Sequence, residues 1–190
     1  MPNVFDVLSQ DHHEVEGMLA ELEKGPTAAS GAAEDQLALR KKMVEQLVIE
    51  ESKHEAVEEM VFWPAVRERV PDGERLASTA IEQEQEGKEV LGKLDKLDAD
   101  NPEFEQLLTT FIAAGREHIS YEETQVWPLL RAELSVQEQD ELGGKFEQGR
   151  KTAPTRPHPH TPASPGVLKT AGPAVAAADR ARDAVSGRGE

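Results

Sequence analysis

Two stretches of this chain carry histidine and glutamate at a spacing that suits a shared metal ion. His54-Glu55-Ala56-Val57-Glu58-Glu59, followed by Trp63-Pro64, returns 64 residues later as His118-Ile119-Ser120-Tyr121-Glu122-Glu123, followed by Trp127-Pro128. The common pattern, H-x3-E-E-x3-W-P-x2-R, closes on Arg67 in one copy and Arg131 in the other. Residues four apart on a helix lie one turn from each other on one face. His54 with Glu58, and His118 with Glu122, therefore each offer an imidazole and a carboxylate to one ion. The chain contains no cysteine, so a metal here must be held by histidine and carboxylate, a donor set that suits iron or manganese.

The elements that must position these residues read as helices, with no strand-like alternation between turn signals. Asn3 caps a first helix over Val4 to Lys24, whose apolar stripe is Phe5, Leu8, His12, Val15, Leu19 and Leu22. Gly25-Pro26 ends it. A second helix is expected from about Glu34 to Val70, with the stripe Leu37, Val44, Leu47, Glu51, His54, Glu58, Val61 and Ala65 and a kink at Pro64. A third runs from about Glu74 to Asp98, with Ala77, Ala80, Glu84, Gly87, Leu91 and Leu94 on its stripe. Asn101 and Pro102 signal the start of a fourth, to Glu133, with Phe104, Leu107, Phe111, Gly115, His118, Glu122, Val126 and Leu129. Ser135 with Glu138 is a capping box for a short fifth helix ending near Gly149. The fold class expected is all-α, an up-down-up-down four-helix bundle over residues 1–150.

Six polar groups interrupt these apolar stripes: His12, His54, Glu58, Glu84, His118 and Glu122. At about 1.5 Å per residue they fall in one layer, roughly 12 to 24 Å from one end of an up-down bundle. A buried charge without a partner is costly, so six of them at one level need each other or a cation. Three imidazoles and three carboxylates make a site for two metal ions, with Glu58 and Glu122, equivalent in the two repeats, as the bridging carboxylates. Such a centre leaves room for an exogenous small ligand. Glu51 stands in reserve one turn before His54. His13, Glu14, Glu55, Glu59 and Glu123 rotate off the face and are expected in solvent, while Trp63, Trp127 and Tyr121 are expected to pack.

The remaining composition narrows partners and place. The formal net charge is -16, which disfavours nucleic acid and anionic membrane as partners. No apolar run approaches the roughly 18 residues of a membrane span, and Met1 to Gln10 lacks a basic leader pattern; the expected place is cytoplasmic. From Arg150 onward seven Lys and Arg stand against three Asp and Glu, whereas 14 stand against 34 before it. Residues 151–190, rich in Pro, Ala and Gly, read as a flexible, disordered basic tail with a short helix over 174–185 at most and with His158 and His160 in solvent.

At these residues the sequence resembles the hemerythrin-like family, the HHE cation-binding domains. Asp11-His12 after Leu8, His54-x3-Glu58 before Phe62-Trp63-Pro64, and His118-x3-Glu122 before Trp127-Pro128 match the family's motifs on its first, second and fourth helices, and the likeness spans residues 3–149. The resemblance implies a bundle holding two non-haem iron ions, oxo- or hydroxo-bridged, on histidine and carboxylate ligands. It departs from the oxygen carriers of the family, which place a His-x3-His pair on the third helix and His-x4-Asp on the fourth. Here the third helix offers Glu84, with Lys88 one turn later and no histidine. A carboxylate-rich site favours ferric iron over reversible dioxygen carriage. The function expected is binding or sensing of O2, peroxide, NO or iron, with peroxide decomposition as a possible activity. The competing expectation is a metal-stabilised or metal-free interaction bundle without redox chemistry.

Overall fold

The computed structural model describes residues 2–159 and 165–187. Among them there is no strand, and the helices form six rods. The first is α1, Val4–Lys24, capped by the Asn3 side chain, which accepts the Phe5 N–H at 2.9 Å. The second is α2, Glu34–Val57, continuing through a π-helical turn at Glu58–Phe62 into α3, Trp63–Arg69. The third is α4, Gly73–Leu94. The fourth is α5, Phe104–Tyr121, continuing through a π turn at Glu122–Val126 into α6, Trp127–Glu133. Two further rods follow, α7 at Val136–Arg150 and α8 at Pro165–Ser186. No helix among the described residues is long and apolar enough to cross a membrane.

Two apolar clusters sandwich one polar layer. One gathers Val4, Phe5, Leu8, Val57, Phe62, Trp63, Ala77, Ala80, Val126, Trp127 and Phe146; the other gathers Val15, Leu19, Leu22, Val44, Leu47, Val48, Leu91, Leu94 and Phe111. The chain passes from the first cluster to the second along α1 and α4, and from the second to the first along α2 and α5. Each passage crosses the level of His12, His54, Glu84 or His118 midway. α1 packs on α2 and α5, and α4 packs on α2, α3 and α5. Burial of these stripes drives the assembly.

Four local expectations need correcting. Pro64 acts through a π turn and does not simply drop one hydrogen bond from a regular helix. Having no N–H, it cannot donate to the carbonyl four residues back. The helix instead widens for one turn, and Trp63 N–H donates to the Glu58 carbonyl five residues back. Trp127 N–H does the same to Glu122 ahead of Pro128. The third helix ends at Leu94 rather than near Asp98, because Lys96 and Leu97 tighten into three-residue turns. Asn101 caps a turn rather than the helix: its Oδ1 accepts the Glu103 N–H at 2.9 Å, and α5 begins at Phe104.

The fourth correction is the tail. The described residues after Arg150 lie against the bundle, with Ala153 and Ala176 buried and α8 packed on the π turn of Glu58–Phe62. Apolar content was a poor guide because carboxylates hold this segment. Asp183 accepts from Thr155 Oγ1 at 2.5 Å and Arg156 Nη2 at 2.7 Å, and Asp179 meets His158 Nε2 at 2.8 Å. His158 thus has Asp179 as a partner and not solvent alone, and the helix is longer than 174–185. His160 lies outside the described residues.

Candidate metal centre

All six residues singled out by spacing meet between the two apolar clusters. His12, His54, Glu58, Glu84 and Glu122 are buried, Glu58 and Glu122 completely, and the His118 side chain is 12% exposed. They form two overlapping groups: His12, His54, Glu58 and Glu122, and Glu58, Glu84, His118 and Glu122. Within each group, one ligand-type atom per residue lies within 4.8 Å of all the others. Glu58 and Glu122 belong to both, which is the placement a bridging carboxylate requires.

The three imidazoles are held alike. Each turns Nδ1 outward to an acceptor and Nε2 inward. His54 Nδ1 lies 3.2 Å from Asp11 Oδ2, His12 Nδ1 lies 2.9 Å from Glu123 Oε1, and His118 Nδ1 lies 3.1 Å from Gln83 Oε1. Their Nε2 atoms face carboxylates: His54 to Glu58 at 3.3 Å, His12 to Glu122 at 3.1 Å, His118 to Glu122 at 3.3 Å. An outer acceptor on one ring nitrogen, fixing the other as the inward lone pair, is how metal-binding histidines are usually oriented. His12 also stacks on Trp127, with ring centroids 5.0 Å apart at 21°.

The inner atoms are not satisfied by protein. Both oxygens of Glu58 and of Glu122, Glu84 Oε2, and Nε2 of His12 and of His118 are buried without a hydrogen-bond partner among the described residues. The Nε2-to-carboxylate approaches fall within ion-pair distance but lack hydrogen-bond angles. Buried polar atoms almost always find partners, and each one left without costs about 1–3 kcal/mol. The donor set therefore fits a cation, and three nitrogens with three carboxylates fit two.

Electrostatics split the two shared carboxylates. Burial raises Glu58, the charge of Glu122 adds to it, and its carboxyl is pushed up from 4.5 to about 7 against the pull of His54. Burial would raise Glu122 too, but His118 and His12 outweigh it and hold it down at about 2. Burial pulls His54 down, yet Glu58 and the Asp11 hydrogen bond carry it well above 6.5. His12 is raised in the same way, through Glu122 against burial. His118 is lowered, because there burial prevails over Glu122.

Glu84 shows what sequence spacing missed. Its Oε1 accepts from Trp63 Nε1–H, and its Oε2 lies 3.6 Å from Lys88 Nζ. Burial holds this carboxyl well above its ordinary value, Lys88 opposes, and Glu58 reinforces. Lys88 also pairs with Glu59 and lies 3.9 Å from Glu55. Glu55 and Glu59 are therefore buried, not solvated as expected, because they face a cation on α4 that helix-wheel reasoning on their own helix cannot see. Glu123 is exposed as expected, yet it holds His12. His13 and Glu14 are exposed as expected. Trp63 does more than pack. Tyr121 keeps to packing, donating its hydroxyl to the Leu76 carbonyl at 3.2 Å. Asp11, Gln83, Lys88 and Arg150 were not singled out for the site; the one signal for Asp11 was its place beside His12.

A cavity of about 20 Å³ opens beside the layer, lined by His12, His54, Glu84, His118, Gly87 and Phe111 among others. That is room for one water or one diatomic molecule. Glu51 lines it without belonging to either group. A roomier cavity of about 290 Å³ lies elsewhere, between the first π turn, α7 and the C-terminal segment, and none of the six residues lines it.

Comparison with known proteins bears on the family and the fold. Residues 3–130 match the family model described as hemerythrin HHE cation binding domain. An uncharacterized hemerythrin-like protein of Schizosaccharomyces pombe is 30% identical over 139 residues, 73% of this chain and 68% of the relative. The crystal structure of a hemerythrin HHE cation binding domain-containing protein from Mycobacterium kansasii superposes with a TM-score of 0.64 at 21% identity, covering 94% of this chain and 99% of that one. That share is larger than the rods up to Arg150 could supply, so the fold likeness extends into the C-terminal segment. The chain belongs to the hemerythrin HHE cation-binding domain family.

Proposed function

We propose that this chain holds two iron ions, one on His12, His54, Glu58 and Glu122 and one on Glu58, Glu84, His118 and Glu122, and that it binds or senses O2, peroxide or NO there. The observation that carries the reading is the set of seven buried ligand-type atoms, converging from four helices, that have no hydrogen-bond partner among the described residues. Iron suits a sulfur-free set rich in carboxylate, and bound iron would supply redox change and affinity for a small oxygen- or nitrogen-containing ligand. The chain's own residues do the rest. Asp11, Glu123 and Gln83 orient the imidazoles, Trp63 and Lys88 hold Glu84, and Val15 and Phe111 limit water. The cavity beside the layer restricts the ligand to about one diatomic molecule.

The test is metal analysis with an optical spectrum after anaerobic ferrous loading and exposure to air. Two irons per chain, with near-ultraviolet bands that change on adding peroxide or NO, are expected. Less than one metal per chain under every loading condition would remove the reading. Oxygen evolved over many turnovers of peroxide marks a catalyst, and one spectral change without turnover marks a sensor. No response to any of these ligands leaves a metal-stabilised bundle.

A further inference from the structure

The stretch that matches the family model ends at residue 130, ahead of α7. Yet α7 reaches the metal layer twice, and both times at His54. Arg150, its last residue, donates from Nη1 to Asp11 Oδ1 at 2.6 Å, and the other oxygen of the same carboxylate lies 3.2 Å from His54 Nδ1. Asp11 is 5% exposed, so little solvent competes for either oxygen. A carboxylate turns readily about its terminal torsion; a guanidinium on one oxygen fixes the plane that the other presents to the imidazole. One turn earlier the fully buried Phe146 sets its ring edge-on to His54, centroids 6.0 Å apart at 63°.

The register of α7 is set by two close approaches. A Cβ on Gly143 would stand 2.1 Å from the Pro2 carbonyl oxygen and 2.8 Å from Val4 N, and one on Gly149 would stand 2.9 Å from Val57 Cγ1. Glycine at both lets α7 lie flush on the start of α1 and on α2, with Phe146 and Arg150 at the height of His54. His12 and His118 also take their outer acceptors from rods of the bundle, Glu123 and Gln83, but it is Asp11, the acceptor of His54, that Arg150 holds.

We infer that α7 is the positioning element of one metal position only: Arg150, acting through Asp11 and backed by Phe146, fixes His54 and so tunes the ion on His12, His54, Glu58 and Glu122, not the ion on Glu58, Glu84, His118 and Glu122. The inference rests on the two-metal reading above. Outer partners of this kind are worth about 10- to 100-fold in metal affinity.

The test is cobalt(II) titration of the metal-stripped full chain, followed by its visible spectrum, in two backgrounds. Glu84→Ala leaves the position served by His54, and there adding Arg150→Ala is expected to weaken binding about 10- to 100-fold, with Arg150→Lys recovering part of the loss. His54→Ala leaves the other position, and there Arg150→Ala is expected to change affinity less than about 2-fold, the additivity of uncoupled sites. Equal weakening in both backgrounds, tracking a lower melting temperature of the stripped protein, would make α7 merely structural. Unchanged binding in both would remove Arg150 from the site while leaving the two-metal reading intact. Should the unmodified chain take up no cobalt and no iron, that reading falls and this inference with it. If Arg150→Ala does not fold, Arg150→Lys and Asp11→Asn carry the same comparison.

Discussion

Glu58 makes the metal-stripped protein's stability depend on pH in a direction opposite to that of ordinary paired carboxylates. Its folded carboxyl titrates at about 7 against 4.5 for an unperturbed glutamate, chiefly from burial and then from Glu122. An acid whose folded pKa is raised binds its proton more tightly when folded. Its contribution therefore falls as pH rises from 4.5 to 7, and the full cost persists above. At about 1.4 kcal/mol per pH unit, the displacement corresponds to about 3 kcal/mol. Over the same span Glu122, held at about 2, stays ionised in both states above pH 5 and adds no slope. His54 and His12 are raised bases, whose stabilisation is present below 6.5 and is lost as pH climbs through their folded values. They deepen the fall.

The assay is urea unfolding of chelator-stripped protein at pH 5.5 and 8, followed by the fluorescence of Trp63 and Trp127, with Glu58→Gln as control. The control cannot ionise at residue 58 and carries the same surface charge otherwise. The unmodified chain is expected to lose about 2 kcal/mol more than Glu58→Gln between the two pH values, the share of the displacement that falls between pH 5.5 and 7. Because His54 Nε2 lies 3.3 Å from Glu58, the substitution also shifts His54, and the difference belongs to the pair. Iron-loaded protein is expected to go the other way, since metal binds the deprotonated ligands and gains affinity with pH. Equal pH slopes for the stripped chain and Glu58→Gln would refute the electrostatic account of the layer.

Two further substitutions probe packing and support. Gly143→Ala forces a Cβ to within 2.1 Å of the Pro2 carbonyl oxygen, so α7 must lift from the start of α1; the expected loss is about 1–3 kcal/mol in urea unfolding, and a change under about 0.5 kcal/mol would mean that α7 is not docked there. Trp63→Phe removes the N–H that reaches Glu84 while keeping an aromatic ring in place. It is expected to cost the stripped protein about 1–3 kcal/mol, a loss that iron loading should largely offset because Glu84 regains a partner; unfolding curves with and without iron check it.

Much of the site was legible because its residues sit on apolar stripes of the expected helical period. His12 falls between Leu8 and Val15, and Glu84 between Ala80 and Leu91, so each had to be buried, and helix lengths placed them at one height. What was not legible came from other rods. Nothing in the spacing of Glu55 and Glu59 says that Lys88 of α4 lies opposite them. Nothing near Asp11 says that Arg150, 139 residues on, takes its second oxygen. The docking of the C-terminal segment was hidden for a related reason. Nothing in the spacing of Asp179 and Asp183, one turn apart, says that His158, Thr155 and Arg156 lie against them.

The histidines and glutamates of the repeat face the buried layer as expected, and the apolar stripe beyond them runs one residue out of phase. Past Glu58 the expected stripe was Val61 and Ala65, but the buried residues are Phe62, Trp63 and Val66; past Glu122 it was Val126 and Leu129, but Val126, Trp127 and Leu130 are buried and Leu129 is 45% exposed. A π turn puts one extra residue into the helix, so every position after it faces the direction of its predecessor in a regular helix. The proline makes that turn favourable, because the hydrogen bond that a regular helix would ask of Pro64 or Pro128 is the one proline cannot give. The advance has a use. It brings Trp63 round to Glu84 and Trp127 onto His12, in the same turn that leaves Glu58 and Glu122 pointing inward. The Trp-Pro that follows Glu-Glu in both copies is thus a backbone instruction. It sets the phase at which each ligand-bearing helix re-enters the core, and that phase is what supplies the metal layer with its aromatic floor.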